Sequence, residues 1–425
     1  MGLNKDHILN KKKMNIPFSP PDISEKEINE VIDTLRSGWI TTGPKVKKLE
    51  ALITDYVGAD NCVCLNSQTA AGEMSLRLLG IGKDSCGIDG KYGSEKDEVI
   101  TCAYTYTASA SVICHVGAKP VLVDCQEGKL EMDYNALAQA VNEHTKAIIP
   151  VDLGGIPCDY DKIFEIVNGK KNFFHPSNRL QEIIGRIAVV EDSAHALGAS
   201  YKGKMIGSVA DFSNFSFHAV KNFTTGEGGA LTWKIEKADR KEIYHQLQLF
   251  SLHGQSKDAL AKTTLGAWEY DIVGPWYKCN MPDIMGAIGL AQFDRYPELL
   301  KRRREIIERY DSKLKPLGVK VLPHFTKEHI SSGHLYITRI PGVDQKKRQE
   351  IIEKLAEEGV SANVHYKPLP MHTAYKRMGF QIEDYPNSYK MYENEVSLPL
   401  HTKLTDEEVE YILEKFIGIV KYYLK

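Results

Sequence analysis

Between residues 61 and 190, short apolar runs alternate with stretches whose apolar positions fall three and four apart. Residues 61–65, 98–100, 120–124, 147–151 and 187–190 read as strands, because the runs are brief and rich in β-branched side chains. Between them, 70–79, 108–116, 135–142 and 163–167 read as helices. In the first, Met74, Leu78 and Leu79 stand near helical spacing. Strands alternating with helices predict right-handed βαβ units and a mostly parallel sheet, an α/β fold.

The pattern changes after Gly229. Residues 212–217 and 230–233 read as strands, the second running back. Residues 282–293 form an apolar helical stretch, where Gly286, Ala287, Gly289 and Ala291 allow close packing. Residues 297–314 read as a charged amphipathic helix whose run Lys301-Arg-Arg-Arg304 predicts a solvated face. From about 319 the pattern is α+β, with a strand at 335–340 and helices at 345–358 and 405–423. This order predicts a large domain over 1–290, including an N-terminal arm, and a smaller C-terminal α+β domain over 291–425. The polar stretches 84–96 and 168–178 read as surface insertions.

Composition narrows the function. With 42% hydrophobic and 26% charged residues and a formal net charge of −2, the chain reads as globular, and nucleic acid is not an expected partner. No apolar run reaches about 18 residues, so no membrane span is expected. Residues 1–13 are polar and basic without an apolar core segment, unlike a secretory signal. The eight cysteines are scattered, with no C-x-x-C pair and no zinc spacing. They read as reduced, mostly buried thiols of a cytoplasmic protein, with no metal site. Cys62 and Cys64 should share one face of their strand.

Four segments carry candidate chemistry. Leu65-Asn-Ser-Gln-Thr-Ala-Ala71 follows a strand and opens a helix, where backbone amides and the hydroxyls of Ser67 and Thr69 suit a phosphate. An ordinary N-cap fits the same residues. Tyr106 closes a strand-to-helix stretch, and its ring fits either the core or a stacked planar ligand. Asp192 ends an apolar strand, at the carboxyl edge where ligands bind in open sheets. His195 follows three residues later. Lys221 stands in Phe215-Ser-Phe-His-Ala-Val-Lys-Asn-Phe-Thr-Thr-Gly-Glu-Gly-Gly229, among aromatic, hydroxyl and glycine residues instead of on a charged helix face. A lysine that forms a Schiff base and an acid that keeps a pyridine nitrogen protonated are what pyridoxal 5′-phosphate requires.

These segments, in this order, resemble the DegT/StrS-type nucleotide-sugar aminotransferases, fold-type I pyridoxal phosphate enzymes. The similarity rests on Ser216 to Gly229 and on Glu191-Asp-Ser-Ala-His195. It extends to Gly38-Trp-Ile-Thr-Thr-Gly-Pro44, Asn66-Ser-Gln-Thr-Ala70, Gly117-Ala-Lys-Pro-Val121, Met281-Pro-Asp-Ile-Met-Gly-Ala-Ile-Gly-Leu290 and Ser397-Leu-Pro-Leu400. The resemblance implies a seven-stranded, mostly parallel sheet between helices, with a small C-terminal domain. It makes Lys221 the Schiff-base lysine, pairs Asp192 with the pyridinium, stacks Tyr106 on the ring and sets His195 beside it. Gln68, Thr69 and Ser216 would hold the phosphate. A homodimer with shared sites would bring Lys278 and Asn280 to the partner's cofactor, although Lys278 stands where the family often has Asn. Trp39, Thr41, Thr42, His218, His365 and Lys367 become candidate walls for a keto nucleotide sugar, with glutamate as donor and 2-oxoglutarate as product. Ser216-Phe-His218 before the lysine points to amination at carbon 4, for surface polysaccharide or glycan biosynthesis. The alternatives on the same scaffold are a 3-aminotransferase, a dehydratase (against which Lys221 argues) and a non-enzymatic pyridoxal phosphate-binding regulator.

Overall fold

Alternate residues of the central strands enter two different cores. Cys62, Cys64, Ile148, Val189 and Ala230 go to one, and Val63, Leu65, Ala147, Ile149, Val190 and Leu231 to the other. Strands buried on both faces are what a parallel sheet between helix layers needs. The computed structural model describes residues 13–257 and 269–424. Apart from Lys13, the basic start lies outside the described residues.

The sheet has seven strands in the order Asn61–Leu65, Gly229–Trp233, Phe212–Ser216, Ala188–Asp192, Thr145–Ile149, Glu98–Cys102 and Lys119–Val123. Gly229–Trp233 pairs antiparallel with both neighbours, and the others run one way. Register sets Asp192 against Asn214, and Gly229 against both Ser216 and Leu65. The ends that carry the candidate chemistry therefore share one edge. Arg186 and Asp211 lock its central strand from below, with Nη1–Oδ2 2.7 Å and Nη2–Oδ1 2.8 Å, while Val189 N–H donates to the same carboxylate at 2.8 Å.

Several expectations change. The helices expected at 282–293 and 297–314 are one helix, Asp283–Leu314, with Pro297 inside it. Proline removes one backbone hydrogen bond, and the flanking Tyr296 and Leu299, both buried in the main core, hold the helix across the gap. The helix runs through residue 290, so the division placed there falls within it. The basic run is not wholly solvated. Arg303 is buried and donates from Nη1 to the carbonyls of Gly333, His334 and Leu400 at 3.2, 3.4 and 2.9 Å. Helices Glu25–Ser37, Pro44–Val57 and Arg240–Ser251 were not expected from the pattern. The 84–96 stretch is pinned at its base, where Asp97 Oδ2 accepts from Gly82 and Ser94 N–H at 2.9 Å each. The 168–178 stretch contains a short 3-10 turn, Lys171–Phe173.

Toward the C-terminus, Lys320–Val321, Tyr336–Arg339 and Glu395–Leu398 form a three-stranded sheet. Helices Gln345–Glu357 and Asp406–Val420 pack on it around a third core. Ile16 belongs to that core, its N–H donating to Gly359 O at 2.8 Å.

Candidate active site

A cavity of about 320 Å³ opens at the carboxyl edge of the sheet, and Gln68, Thr69, Tyr106, Asp192, His195, Ser216, His218 and Lys221 all line it. Residues up to 153 positions apart meet there because each follows a strand that ends on the same edge.

At one wall Ser67 caps the helix Gln68–Leu78, its Oγ accepting from Ala70 N–H at 3.1 Å. The N-cap reading of Ser67 is therefore correct, and it leaves the first-turn amides of Gln68 and Thr69 without an internal carbonyl partner. Gly229 lies hard against this turn. A Cβ there would stand 2.4 Å from both Gln68 N and Ser67 C.

Asp192 is held by two donors. Ser109 Oγ donates to Oδ2 at 2.6 Å, and Ala194 N–H to Oδ1 at 3.2 Å. Ser109 has one proton, so Thr105, 2.9 Å away, donates to Ser109 in turn. Burial pushes the Asp192 pKa up, opposed by Ser109, Ala194 and the charge of Lys221. Sequence reasoning missed Ser109 and Thr105, which look like ordinary helix-start residues until the sheet brings Asp192 to them.

Lys221 lies in a loop pinned at both ends. Phe217 N–H donates to Gly228 O at 2.8 Å, and Thr225 N–H to Phe217 O at 2.9 Å. The rings of Phe217 and Phe223 meet edge-on at 4.8 Å below it, so the aromatic residues around this lysine hold the loop. Among the described residues its Nζ has no hydrogen bond or ion pair. Burial lowers its pKa from 10.5 to about 8, and attraction to Asp192 opposes that fall.

His195 is buried, and Gly154 N–H donates to its Nδ1 at 3.1 Å. The neutral ring therefore carries its proton on Nε2, which lies 3.4 Å from the Tyr366 hydroxyl. Burial holds the His195 pKa well below its ordinary value, with Lys221 and His365 adding to the effect. Tyr366, which falls in the 365–368 segment read from the sequence as a candidate sugar wall, lines the Lys221 cavity instead, 5.7 Å from Tyr106 between ring centroids.

His365 reaches Lys221 from another side, across a small cavity of about 50 Å³ that both line. Ser397 Oγ bonds Glu395 Oε1 at 2.5 Å and His365 Nδ1 at 2.9 Å. Glu395 Oε2 accepts the His365 backbone N–H at 2.9 Å. Burial raises Glu395 to about 8 and lowers His365 to about 3. His365 is therefore neutral.

The other candidates, His218 apart, lie outside this cavity. Trp39 Nε1 donates to Thr42 O at 3.1 Å, and Thr42 Oγ1 to Met281 O at 2.6 Å. Thr41 O accepts from Asp283 N–H at 3.0 Å. Lys278 bonds Asn280, and Asn280 bonds Thr42. This cluster stands outside the Lys221 cavity, although Asn66 N–H donates to Cys279 O at 2.8 Å beside the phosphate-type turn. His218 is exposed at the cavity, its Nε2 3.6 Å from Glu227 Oε1. Lys367 is exposed and lines neither cavity. No helix among the described residues is long and apolar enough to cross a membrane.

A family model described as the DegT/DnrJ/EryC1/StrS aminotransferase family matches residues 21–417. The chain is 37% identical over 421 residues to the spore coat polysaccharide biosynthesis protein SpsC of Bacillus subtilis (strain 168), covering 97% of this chain and 99% of SpsC. It resembles Spr1654 of Streptococcus pneumoniae, described as a putative sugar aminotransferase. The PMP-form of that protein matches with a TM-score of 0.91 at 56% identity, covering 96% of this chain and 100% of the other. The PLP-form matches at 0.90 and 54%, covering 97% and 100%. Helicobacter pylori PseC, an aminotransferase involved in the biosynthesis of pseudoaminic acid, matches at 0.81 with 26% identity over 96% of this chain and 100% of PseC.

Proposed function

We infer the reaction from the premise that this chain belongs to the DegT/DnrJ/EryC1/StrS aminotransferase family. It is a sugar aminotransferase that uses pyridoxal 5′-phosphate. The proposed reaction moves an amino group from glutamate to carbon 4 of a 4-keto-6-deoxy or related nucleotide sugar and releases 2-oxoglutarate. The observation that carries it is an unpartnered lysine amine and a buried carboxylate on one cavity, beside a helix N-terminus. The printed role of SpsC in polysaccharide biosynthesis supports the same class of pathway here.

The cavity residues fit the cofactor. The amides of Gln68 and Thr69 and the Ser216 hydroxyl would hold its phosphate. Asp192 would meet the ring nitrogen, Tyr106 the ring face, and His195 Nε2–H a ring oxygen. When bound, the cofactor supplies an aldehyde for amines and a ring that takes up the electron pair released with the Cα proton. Lys221 moves the proton, since a pKa of about 8 keeps both its forms populated near neutral pH. Ser109 and Ala194 keep the Asp192 carboxylate in one orientation. His195 stays neutral and a donor because Gly154 occupies its other nitrogen.

The sugar nucleotide is placed against Trp39, Thr41, Thr42, His218, His365 and Lys367. Lys278 and Asn280 would complete the partner's site in a homodimer. Their position outside their own subunit's Lys221 cavity suits such sharing.

Purified enzyme should be yellow, and borohydride should fix the cofactor on the Lys221 peptide. A Lys221→Ala variant with full transaminase activity would refute the assignment. Carbon 4 rests on His218, and a panel of 3-keto and 4-keto nucleotide sugars with glutamate decides it. Product from 3-keto sugars alone would overturn it. For the shared site, mixing Lys221→Ala with Lys278→Ala subunits should restore activity through one intact site per hybrid dimer. No recovery in proven hybrids would count against sharing.

A further inference from the structure

A second cavity, of about 270 Å³, lies behind the wall of the first, and Val151 and Leu153 line both. No step of the proposed reaction uses it. Its floor is apolar, with Leu130, Ile156, Leu322 and Met391 among the lining residues. Strand Tyr336–Arg339 contributes Ile337 and Arg339, which lie two apart and so on one face of the strand.

Three cations, Lys129, Lys320 and Arg339, and three acids, Glu131, Asp159 and Glu328, line it, but they do not pair one to one. Glu131 accepts from Lys129 Nζ at 3.1 Å and also from the Tyr134 hydroxyl. Asp159 Oδ1 accepts from the Tyr201 hydroxyl at 2.8 Å and from Lys162 N–H at 3.2 Å. Glu328 has Lys202 at 4.0 Å. His329 Nε2 donates to Pro323 O at 2.7 Å. Every acid on the wall is thus engaged. Arg339 is half-buried, yet its guanidinium makes no hydrogen bond, ion pair or ring contact with any described residue. Burial lowers its pKa, opposed by Tyr104 and Cys125 and by no carboxylate, and an arginine keeps its charge under such conditions. Exposed Lys320 stands at the same wall, also without an ion pair among the described residues.

A planar fork of five N–H donors with no acceptor, set beside an apolar floor, matches a carboxylate or phosphate carried on an apolar body. The volume lies just below the roughly 300 Å³ at which drug-sized sites begin, so one ring or a short chain fits. We propose that this cavity binds a small organic anion, with Arg339 gripping the anionic group and the apolar floor taking the body. The neighbouring backbone belongs to the segment that pairs with Asp192, since Asp152 N–H donates to Asp192 O at 3.1 Å. A ligand here would therefore touch the strand end that positions the acid.

The test uses holoenzyme crystals soaked separately with 4-bromobenzoate and 4-bromophenyl phosphate, with bromine located by anomalous scattering. The expected result is bromine over the apolar floor, with the anionic group within hydrogen-bond distance of Arg339. The stronger of the two sites tells carboxylate from phosphate. Calorimetry of the preferred probe at low salt should show at least tenfold weaker binding for Arg339→Met, with the cofactor's absorbance band unchanged. Bromine absent from this cavity with both probes, or present only beside Lys221, would overturn the proposal. So would equal affinity in a folded Arg339→Met. Should that variant not fold, the wild-type crystals decide alone.

Discussion

In the cofactor-free enzyme, Lys221 should titrate near pH 8, and Asp192→Asn should move that midpoint lower. The ordinary lysine value is 10.5; burial brings Lys221 down to about 8, against the pull of Asp192. At pH 8 an ordinary lysine is neutral in about one molecule in three hundred, and Lys221 in about half, so its amine is about 150-fold more available. Asp192→Asn removes the one attraction that opposes burial, and a nearby opposite charge is worth about 1–3 pKa units. The midpoint should therefore fall by about one unit or more, not rise. The assay is competitive acylation of apoenzyme from pH 6 to 11, with the Lys221 peptide quantified by mass spectrometry and exposed Lys367 as internal reference. A wild-type midpoint near 10 would show that burial does not tune this amine. An upward shift in Asp192→Asn would show that its contact with Asp192 is not attractive.

Three further outcomes follow from the same geometry. Ser109→Ala removes the 2.6 Å donor to Asp192, a charged hydrogen bond worth about 1.5–3 kcal/mol. It should lower kcat/KM about 10- to 100-fold, most at low pH because the acid then protonates more readily, and a pH–rate profile that overlays the wild type would disprove the role. Gly229→Ala drives a Cβ against the backbone of the Gln68 turn. We expect weaker cofactor binding and a loss of about 1–3 kcal/mol of stability, followed by denaturant melts and cofactor titration. Ser397→Ala strips a partner from both Glu395 and His365 and should cost about 1–3 kcal/mol in denaturant unfolding. An unchanged midpoint would mean that the two groups find other partners.

The local pattern carried much of this protein. Runs such as 187–190 are apolar on both faces, which already implies helices on both sides of the sheet. The same regularity placed the chemistry, because Gln68, Asp192 and Lys221 all follow strands that run one way, and their ends must share an edge. Lys221 and Asp192 were legible because each is a charged group ending or following an apolar strand, where a purely structural residue would be apolar. Helix Asp283–Leu314 was misread as two, since proline weakens a helix locally while burial of Tyr296 and Leu299 sustains it over a longer range.

What stayed hidden depends on long-range contact. Ser109 hydrogen-bonds an acid 83 residues away, Gly154 fixes the tautomer of a histidine 41 residues away, and Ser397 orients His365 from 32. Serine and glycine have no sequence signature for such work, because their effect lies in where one hydroxyl or one amide points. Arg303 shows the same limit. Its basic neighbours mark a solvated face, and only the docking of the C-terminal segment buries it against three carbonyls. Residue types and their order thus determined the sheet, the edge that opens into the cavity, and the meeting of Lys221 and Asp192 there. Tertiary packing alone decided the protonation of Lys221, the tautomer of His195 and the lone guanidinium of Arg339, since each is set by burial and partner geometry, which no local pattern encodes.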